Sequence, residues 1–323
     1  MTKSQRLKIL LLLLLSIYYK RLKQRLKYTN KRWQNRRWLV RLINQQRKQY
    51  GEYNNLFQHL KNDEDMFFRY TRMHIQHFNK LFIMLAPYLK KKTKKALPPE
   101  QRLLIALRYL ATGNSTLSIA FSFRVGESTV RQLIKEVCLV ITNKLWPIYI
   151  TVPTDKQWKN IVEGYWNRWN MKICSKKNIS DHLYRFSLID IGAYGGNSDG
   201  GIFESSNIGK GLDNNKLNLP TAHAYLPGSN IRSNISMPGF FIADAAFPLS
   251  TRIMKPYSGK NLTKKQKIYN YRHSRGRNTI EGTFGIFANR WRVFHTAISM
   301  LPETAILITS ASVALHNYIM YEE

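Results

Sequence analysis

The chain has 323 residues, of which 44% are hydrophobic and 12% aromatic, and it carries 51 Lys and Arg against 19 Asp and Glu. This composition excludes an intrinsically disordered chain, and two cysteines are too few for a disulfide framework or a cysteine-based zinc cluster. The formal net charge of +32 predicts contact with a polyanion, most often nucleic acid, with a merely basic, solvated surface as the alternative.

The N-terminus is strongly basic, and the first acid in the chain is Glu52. An apolar block at 9–16 (ILLLLLLS) mimics a signal peptide, but it is too short to span a bilayer, which takes about 20 residues. The basic run that follows predicts an arm over 1–50 for nucleic-acid binding or nuclear localisation, and no stable membrane span. A basic helix lying on a membrane surface is the alternative.

Residues 51–172 are predicted to form a helical domain. Apolar side chains recur there at helical spacing, as in Ile75, Phe78, Phe82 and Leu85. The segment ALPPEQRLLIALRYLATG opens with prolines and closes on Gly113, as a helix does. A capping box of Thr154 with Gln157 predicts that a further helix begins there.

Two consecutive helices are predicted at 118–141, where SIAFSFRVGESTVRQLIKEVCLVI turns at Gly126. The second helix has one apolar stripe, formed by Val130, Ile134, Val137 and Ile141. Arg131, Gln132 and Lys135 fall largely off that stripe, as in the recognition helix of a helix-turn-helix that enters the major groove. The motif would occupy about 117–141. Two packed helices without a DNA role explain the apolar spacing equally well.

Beyond residue 180 the sequence predicts strands mixed with helices, which is typical of an α/β arrangement. YRFSLIDIG is a strand of alternating type, a helix is expected to start near Asp199, and GFFIADAAF is a buried strand. Helical periodicity returns from 274, where Ile280, Phe284, Phe287 and Trp291 share a face, and a last helix opens at Pro302.

Two acids in this part of the chain are candidate metal ligands. Asp244 ends the buried strand, and Glu281 lies beside the apolar stripe of the following helix. Carboxylates so placed can share hard divalent cations, and a pair of such cations supports phosphodiester cleavage, here of DNA. In the alternative reading, Asp244 caps a helix formed by AAFPLSTRIM and Glu281 pairs with Arg277 one turn earlier.

From about residue 30 onward the chain resembles the nucleases derived from PIF/Harbinger transposases, of the DDE superfamily endonuclease type. The segments that carry the resemblance are LRYLATGNSTLSIAFSFRVGESTV, LIDIGAYGGNSDGGIFESSNIGK, ADAAFPLSTRIMKPY, NYRHSRGRNTIEGTFGIFANRWRVF and VALHNYI. The resemblance implies an RNase H-like catalytic domain over 173–323, DNA binding by the preceding helical region, Mg²⁺ or Mn²⁺ as cofactor, and a nuclear location, with the cytoplasm left open. It also implies a Myb/SANT-like partner protein, while homo-oligomer formation stays open.

By match to the family, Asp244 is the second catalytic acid and Glu281 the third, and both are metal ligands. Asp190, in the third strand of the family's layout, and Asp199, in the NSDGG turn, match positions that can stand near the metals; Asp199 is also expected to be a helix N-cap.

The first acid of the family has no counterpart in this sequence. Family members follow a segment like YWNRWNM with a strand carrying a Gly-Ala-Ile-Asp-Gly-like motif and then a second strand. Here KICSKKNISDHLYRF passes from Met171 almost directly to the LIDIG strand, with Asp181 as its single acid. We therefore expect an endonuclease domain truncated at its start, without its first two strands and first ligand, and with impaired catalysis. A non-catalytic nuclear DNA-binding protein is the alternative.

Overall fold

The structure is a computed structural model, and it describes residues 11, 14–24, 40–93, 96–169, 174–175, 179–193, 196, 199–214, 216–217, 219, 221–225 and 232–323. Much of the predicted arm over 1–50 lies outside these residues. Residues 14–24 are helical (α1), and their side chains are exposed on all sides. No helix in the described part of the chain combines the length and the hydropathy that crossing a membrane requires.

The other helices fall into an N-terminal series and a C-terminal series. The first comprises α2 (Leu42–Gln45), α3 (Arg47–Tyr50), α4 (Leu56–Leu60), α5 (Glu64–Thr71), α6 (Ile75–Leu89), α7 (Pro99–Thr112), α8 (Thr116–Phe123), α9 (Glu127–Tyr149) and α10 (Asp155–Trp169). The second comprises α11 (Asp199–Ser205), α12 (Asn207–Asp213), α13 (Lys264–Arg290), a 3₁₀ turn (Arg292–His295) and α14 (Pro302–Glu322).

Short strands lie between α10 and α11 and between α12 and α13. They are β1 (Cys174–Ser175), β2 (Ile179–Ser180), β3 (Phe186–Leu188), β4 (Thr221–Tyr225), β5 (Arg232–Pro238), β6 (Phe241–Ile242) and β7 (Ile253–Met254). The observed chain is thus mostly helical with a small amount of sheet, which is compatible with an endonuclease domain of the predicted kind but has less strand than a typical α/β domain.

Both predicted ends of α7 and the predicted start of α10 lie where the sequence places them. Helix α7 starts at Pro99 and ends before Gly113, whose φ of 69° is left-handed and therefore suits glycine. A Cβ on Gly113 would also lie 2.9 Å from the carbonyl oxygen of Arg292. The capping box before α10 is confirmed, because the backbone N–H of Thr154 donates to Oε1 of Gln157 at 2.8 Å and the Gln157 N–H donates back to Oγ1 of Thr154.

One large core joins the N-terminal helices to the C-terminal helix. Helix α14 packs along α9, and its Ile308, Leu315 and Tyr318 are fully buried. The predicted apolar stripe of α9 is confirmed, since Val130, Ile134, Val137 and Ile141 are all 0% exposed. A second core lies beneath the strands, around Trp158 of α10 and Phe241 of β6. Burial of these apolar faces is the main force that holds the helices together.

The strands form three small sheets. β6 lies between β1 and β7 and is parallel to both, with Ile242 opposite Ser175 and Met254. β2 pairs with β3 and β4 pairs with β5, both antiparallel. β1 and β2 lie within KICSKKNISDHLYRF, for which the sequence carried no strand prediction; the expected absence of the family's first two strands stays a prediction. The backbone N–H and C=O groups of β6 and β3 require partners, and these two-residue segments supply them.

Two further elements differ from expectation. Helix α13 starts at Lys264, ten residues before the predicted start, because Thr263 and Gln266 form a capping box there. AAFPLSTRIM is a turn followed by β7 rather than a helix. Pro248 explains this, since it lacks an N–H and disfavours a helical conformation for Phe247. The alternative reading of Asp244 as a helix cap is therefore wrong.

Candidate metal site and nucleic-acid interface

Asp244 lies just beyond a buried strand end. Phe241, Ile242 and Ala243 are at most 3% exposed, whereas Asp244 itself is half-buried. Its Oδ1 accepts a hydrogen bond from the N–H of Ala246 at 3.2 Å, so the carboxylate organises the turn that follows. Because β6 and β7 are parallel, their carboxyl ends lie at one edge of the sheet, which is where ligand-binding groups gather in α/β proteins.

The start of helix α11 lies against the turn after Asp244. A Cβ on Gly200 would lie 3.7 Å from the carbonyl oxygen of Ala246. The rings of Phe203 and Phe247, one on each segment, meet edge to face with centroids 5.6 Å apart. Asp199 is the first residue of α11, so the predicted helix start near it is confirmed, although Asp199 lies within the helix and not at the expected N-cap position.

Glu281 lies on α13, which packs against β1 and β6. Its side chain is 58% exposed and accepts from the Arg277 guanidinium at 3.0 Å, so the pairing one turn earlier is present as the alternative reading expected. An exposed ion pair of this kind is worth only about 0–1 kcal/mol, and a stronger ligand can replace it. The adjacent Gly282 is explained by packing, because a Cβ there would lie 3.2 Å from the Tyr184 ring.

The other acids occupy different surroundings. Asp190 lies two residues beyond β3 and is exposed. Asp181 is buried in the turn between β2 and β3, where Oδ1 accepts from the N–H groups of Leu183 and Arg185, both at 2.9 Å. Its Oδ2 accepts from Nε of Arg185 at 2.6 Å. Both carboxylate oxygens of Asp181 therefore hold the turn.

Within the described residues, no three or more His, Cys, Asp or Glu side chains lie close enough together to hold a metal ion. The fold places Asp244 and the start of α11 side by side and packs the helix of Glu281 against the same sheet. It does not assemble Asp244, Glu281 and a third acid from the described residues into one group. The carboxylates of the described residues thus do not form a complete metal site.

The candidate DNA-binding side chains lie on the outer face of α9, immediately after the turn that follows α8. Arg131 is half-exposed and donates to Oε1 of Glu127 at 2.8 Å, and this bond together with one from Thr116 lowers the pKa of Glu127. Gln132 donates to Oε1 of Glu136 at 3.2 Å, and Lys135 is exposed. The two helices and their turn are as predicted, and the outer face of α9 is accessible.

Sequence reasoning missed the role of His316 and Asn317 in α14. Both are buried, and both bind the backbone of the turn and strand that follow Asp181: His316 Nε2 contacts the carbonyl oxygen of Tyr184 at 2.8 Å, and Asn317 bonds to both the N–H and the C=O of Phe186. The available signal was a polar His-Asn pair inside the otherwise apolar VALHNYI segment.

A family model described as "DDE superfamily endonuclease" matches residues 150–317, which is just over half of the chain. The match begins at the end of α9 and takes in Asp190, Asp199, Asp244 and Glu281. A search of curated proteins and a search of solved structures each gave no significant match.

Proposed function

The chain belongs to the DDE superfamily endonucleases, and from this premise we propose that it is a transposase-derived, nuclease-like protein of the PIF/Harbinger type that acts on DNA. The net charge of +32 supports DNA as the partner, because a polyanion compensates such an excess of cations. The RNase H-like character of the region around β1, β6 and β7, a nuclear location and a Myb/SANT-like partner belong to the same proposal. They rest on the resemblance of the quoted segments.

We further propose that strand cleavage by this chain is impaired. The observation that carries this is the state of Asp181, the single acid in the shortened stretch, whose two carboxylate oxygens are taken up by the N–H groups of its own turn and by Arg185. Two-metal cleavage requires carboxylates that position both ions, and the resemblance assigns the bridging position to the absent first acid. Asp244 and Glu281 are then the remaining ligands, with Asp190 and Asp199 near them, for a Mg²⁺ or Mn²⁺ ion bound weakly.

The experiment measures metal binding and nicking of supercoiled DNA by the purified chain. We expect weak Mn²⁺ binding that Asp244→Asn abolishes, and little or no nicking. Inserting the family's two missing strands with their acid should raise nicking at least about 100-fold, because a full carboxylate set contributes several kcal/mol of transition-state stabilisation. The recovered activity should require Asp244 and Glu281, while Glu163→Gln, a change of an exposed acid on α10, should leave it intact. Robust nicking by the unmodified chain, insensitive to Asp190→Asn and Asp199→Asn, would contradict the proposal.

The second candidate function is a non-catalytic nuclear DNA-binding protein that uses α8 and α9 as a helix-turn-helix. It is favoured by the polar outer face of α9, where Arg131, Gln132 and Lys135 are exposed beside a fully buried apolar stripe. To reach a phosphate, Arg131 must leave Glu127, which an exposed pair allows at small cost.

We expect Arg131→Ala combined with Lys135→Ala to weaken DNA binding and to lower the slope of log K against log salt by about 0.9 for each phosphate that the variant no longer neutralises. Filter binding at several salt concentrations measures both quantities. The control is Arg69→Ala with Lys90→Ala, which removes one Arg and one Lys from exposed sites on α5 and just after α6. If the control double variant weakens DNA binding as much as the change of Arg131 and Lys135 does, α8 and α9 serve packing only.

A further inference from the structure

The segment between the two candidate acids is itself a dense cluster of cations. Residues 245–280 contain no Asp or Glu, although they carry Lys and Arg throughout. Six of these side chains are exposed: Lys260, Lys264, Lys265, Lys267, Arg272 and Arg275. Within the described residues none of the six forms an ion pair. We call these six side chains the basic surface.

Five of the six side chains of the basic surface lie on the exposed side of α13, and Lys260 lies in the loop before it. Lys264, Lys267, Tyr271 and Arg275 are spaced three and four residues apart, so they lie in line along the helix. The opposite face of α13 is buried through His273 and Gly276. Tyr271 is 62% exposed, and the Arg275 guanidinium lies 5.7 Å from its ring centroid. An exposed aromatic ring among cations is the arrangement with which proteins bind nucleic-acid strands.

The cations at the start of α13 oppose the helix dipole. Lys264, Lys265 and Lys267 occupy the first turn, which contains no acid. The N-terminus of a helix carries partial positive charge, so acids stabilise this position and lysines do not. A cluster of lysines at this place therefore has no benefit for folding, and an anion bound there would be stabilised by both the lysines and the helix terminus.

The loop that leads into α13 is fixed on the helix, so the basic surface is preorganised. The N–H and the C=O of Tyr257 both bond to the side-chain amide of Asn270 at 2.9 Å. The hydroxyl of Tyr269 donates to the carbonyl oxygen of Lys255 at 3.2 Å, and the rings of Tyr257 and Tyr269 meet edge to face at 5.3 Å. Rigid positioning of charges lowers the entropy lost when a ligand binds.

The loop and helix that carry the basic surface run between the two candidate acids in the chain. β6 and β7 are parallel, so Asp244 after β6 and the loop that begins at Lys255 after β7 leave the sheet at the same edge. At the other end, Glu281 follows Arg275 by six residues, or about 9 Å along the helix. A strand of nucleic acid that lies on the basic surface therefore extends from the Asp244 edge toward Glu281.

We propose that the basic surface is the binding site for the DNA phosphodiester backbone that leads to Asp244 and Glu281. The inference rests on the proposed function, since it takes DNA as the partner. It adds the location of the contact, which differs from both the N-terminal arm and the outer face of α9. Phosphates contact the lysine and arginine side chains, and Tyr271 offers its ring to a neighbouring base or sugar.

The test compares two triple variants of the full chain. Lys264→Gln, Lys267→Gln and Arg275→Gln remove three charges from the basic surface, and glutamine preserves helix propensity. Binding to a duplex of about 30 base pairs is measured in EDTA at several salt concentrations. We expect the affinity at moderate salt to fall by about 10- to 100-fold and the slope of log K against log salt to fall by about 2–3. Thermal unfolding should be unchanged, because the loss of lysines at a helix N-terminus does not destabilise it.

The matched control removes one Arg and two Lys from exposed sites on other elements: Arg69→Gln, Lys90→Gln and Lys92→Gln. A smaller loss of DNA affinity in the control variant supports the proposal that the basic surface binds DNA. The proposal would be overturned if both triple variants lost the same affinity for DNA or if neither lost any. It would also be overturned if the unmodified chain did not bind DNA. Because EDTA excludes cleavage, the result is separate from the nicking assay. An unaffected triple variant would reject the basic surface whatever the nicking assay shows. Robust nicking by the unmodified chain would reject the proposed impairment of cleavage whatever the binding assay shows.

Discussion

Replacing Asn317 with alanine is expected to lower the free energy of unfolding by about 3–5 kcal/mol. Asn317 is 1% exposed, and its amide joins three elements. Oδ1 accepts from the N–H of Phe186 at 2.8 Å, and Nδ2 donates to the carbonyl oxygens of Phe186 at 2.7 Å and Tyr149 at 2.8 Å. Alanine leaves the buried N–H and C=O of Phe186 and the part-buried C=O of Tyr149 without these bonds, and each fully buried group costs about 1–3 kcal/mol.

The side chain of Asn317 acts as a neighbouring strand would. It pairs with both backbone groups on the side of Phe186 that faces α14, while β2 pairs with β3 on the other side. Tyr149 is the last residue of α9, so no backbone N–H of the helix donates to its carbonyl oxygen. One amide therefore completes a strand edge and a helix end, which explains a polar residue inside a packed helix.

Urea denaturation followed by circular dichroism measures the change. Asn317→Asp retains the volume and the acceptor but places a carboxylate against two carbonyl oxygens, so it should be at least as damaging as alanine at neutral pH. The control is Asn214→Ala, whose exposed amide bonds only to the carbonyl oxygen of Lys210, with an expected loss within about 0.5 kcal/mol. A loss below about 1 kcal/mol for Asn317→Ala would show that these bonds do not support the fold.

Helices with strong local signals could be predicted from the sequence, whereas short strands could not. The prolines and Gly113 fix both ends of α7 by their own backbone preferences. β1 and β2 have two residues each, too few for any alternation of polar and apolar side chains to appear. The start of α13 was missed because the first turn has no apolar residue, and the capping box of Thr263 with Gln266 was its local signal.

For the candidate site, the spacing of residues in the sequence predicted only those interactions whose partners lie close together in the chain. The pair of Arg277 with Glu281 follows from a separation of four residues in a helix. The state of Asp181 depends on a turn whose geometry appears only when β2 and β3 pair. The partners of His316 and Asn317 are more than 130 residues away in sequence, so no local pattern encodes them.

His316 is expected to make the protein less stable as the pH falls from about 6.5 to about 4. The ring is fully buried, and its Nε2 donates to the carbonyl oxygen of Tyr184 at 2.8 Å. Burial lowers the pKa of His316 to about 4; the bond to Tyr184 acts in the opposite direction, and the charge of Arg290 acts in the same direction as burial. The rings of Phe186 and Phe287 lie 5.2 Å and 5.9 Å from the imidazole and offer no counter-ion.

The sign of the effect follows from proton binding. In the unfolded chain His316 has an ordinary pKa near 6.5, so between about pH 6.5 and 4 the unfolded state binds a proton that the folded state does not. The contribution of the neutral His316 ring to the free energy of unfolding is complete above pH 6.5 and is lost progressively as the pH approaches 4. The slope is up to about 1.4 kcal/mol per pH unit, and the total is about 3 kcal/mol.

Urea denaturation at pH values from 7.5 to 4 measures this slope. His316→Gln can still donate to Tyr184 but does not titrate, so its stability should fall less steeply with acid than that of the wild type, by about 3 kcal/mol over the range. Comparing slopes removes any loss of stability that the substitution causes at neutral pH. The control is His59→Gln, the same change at an exposed site on α4. Equal slopes for His316→Gln and the wild type would mean that acid acts on the fold through other groups, and that the imidazole of His316 accepts its proton without unfolding the turn it holds.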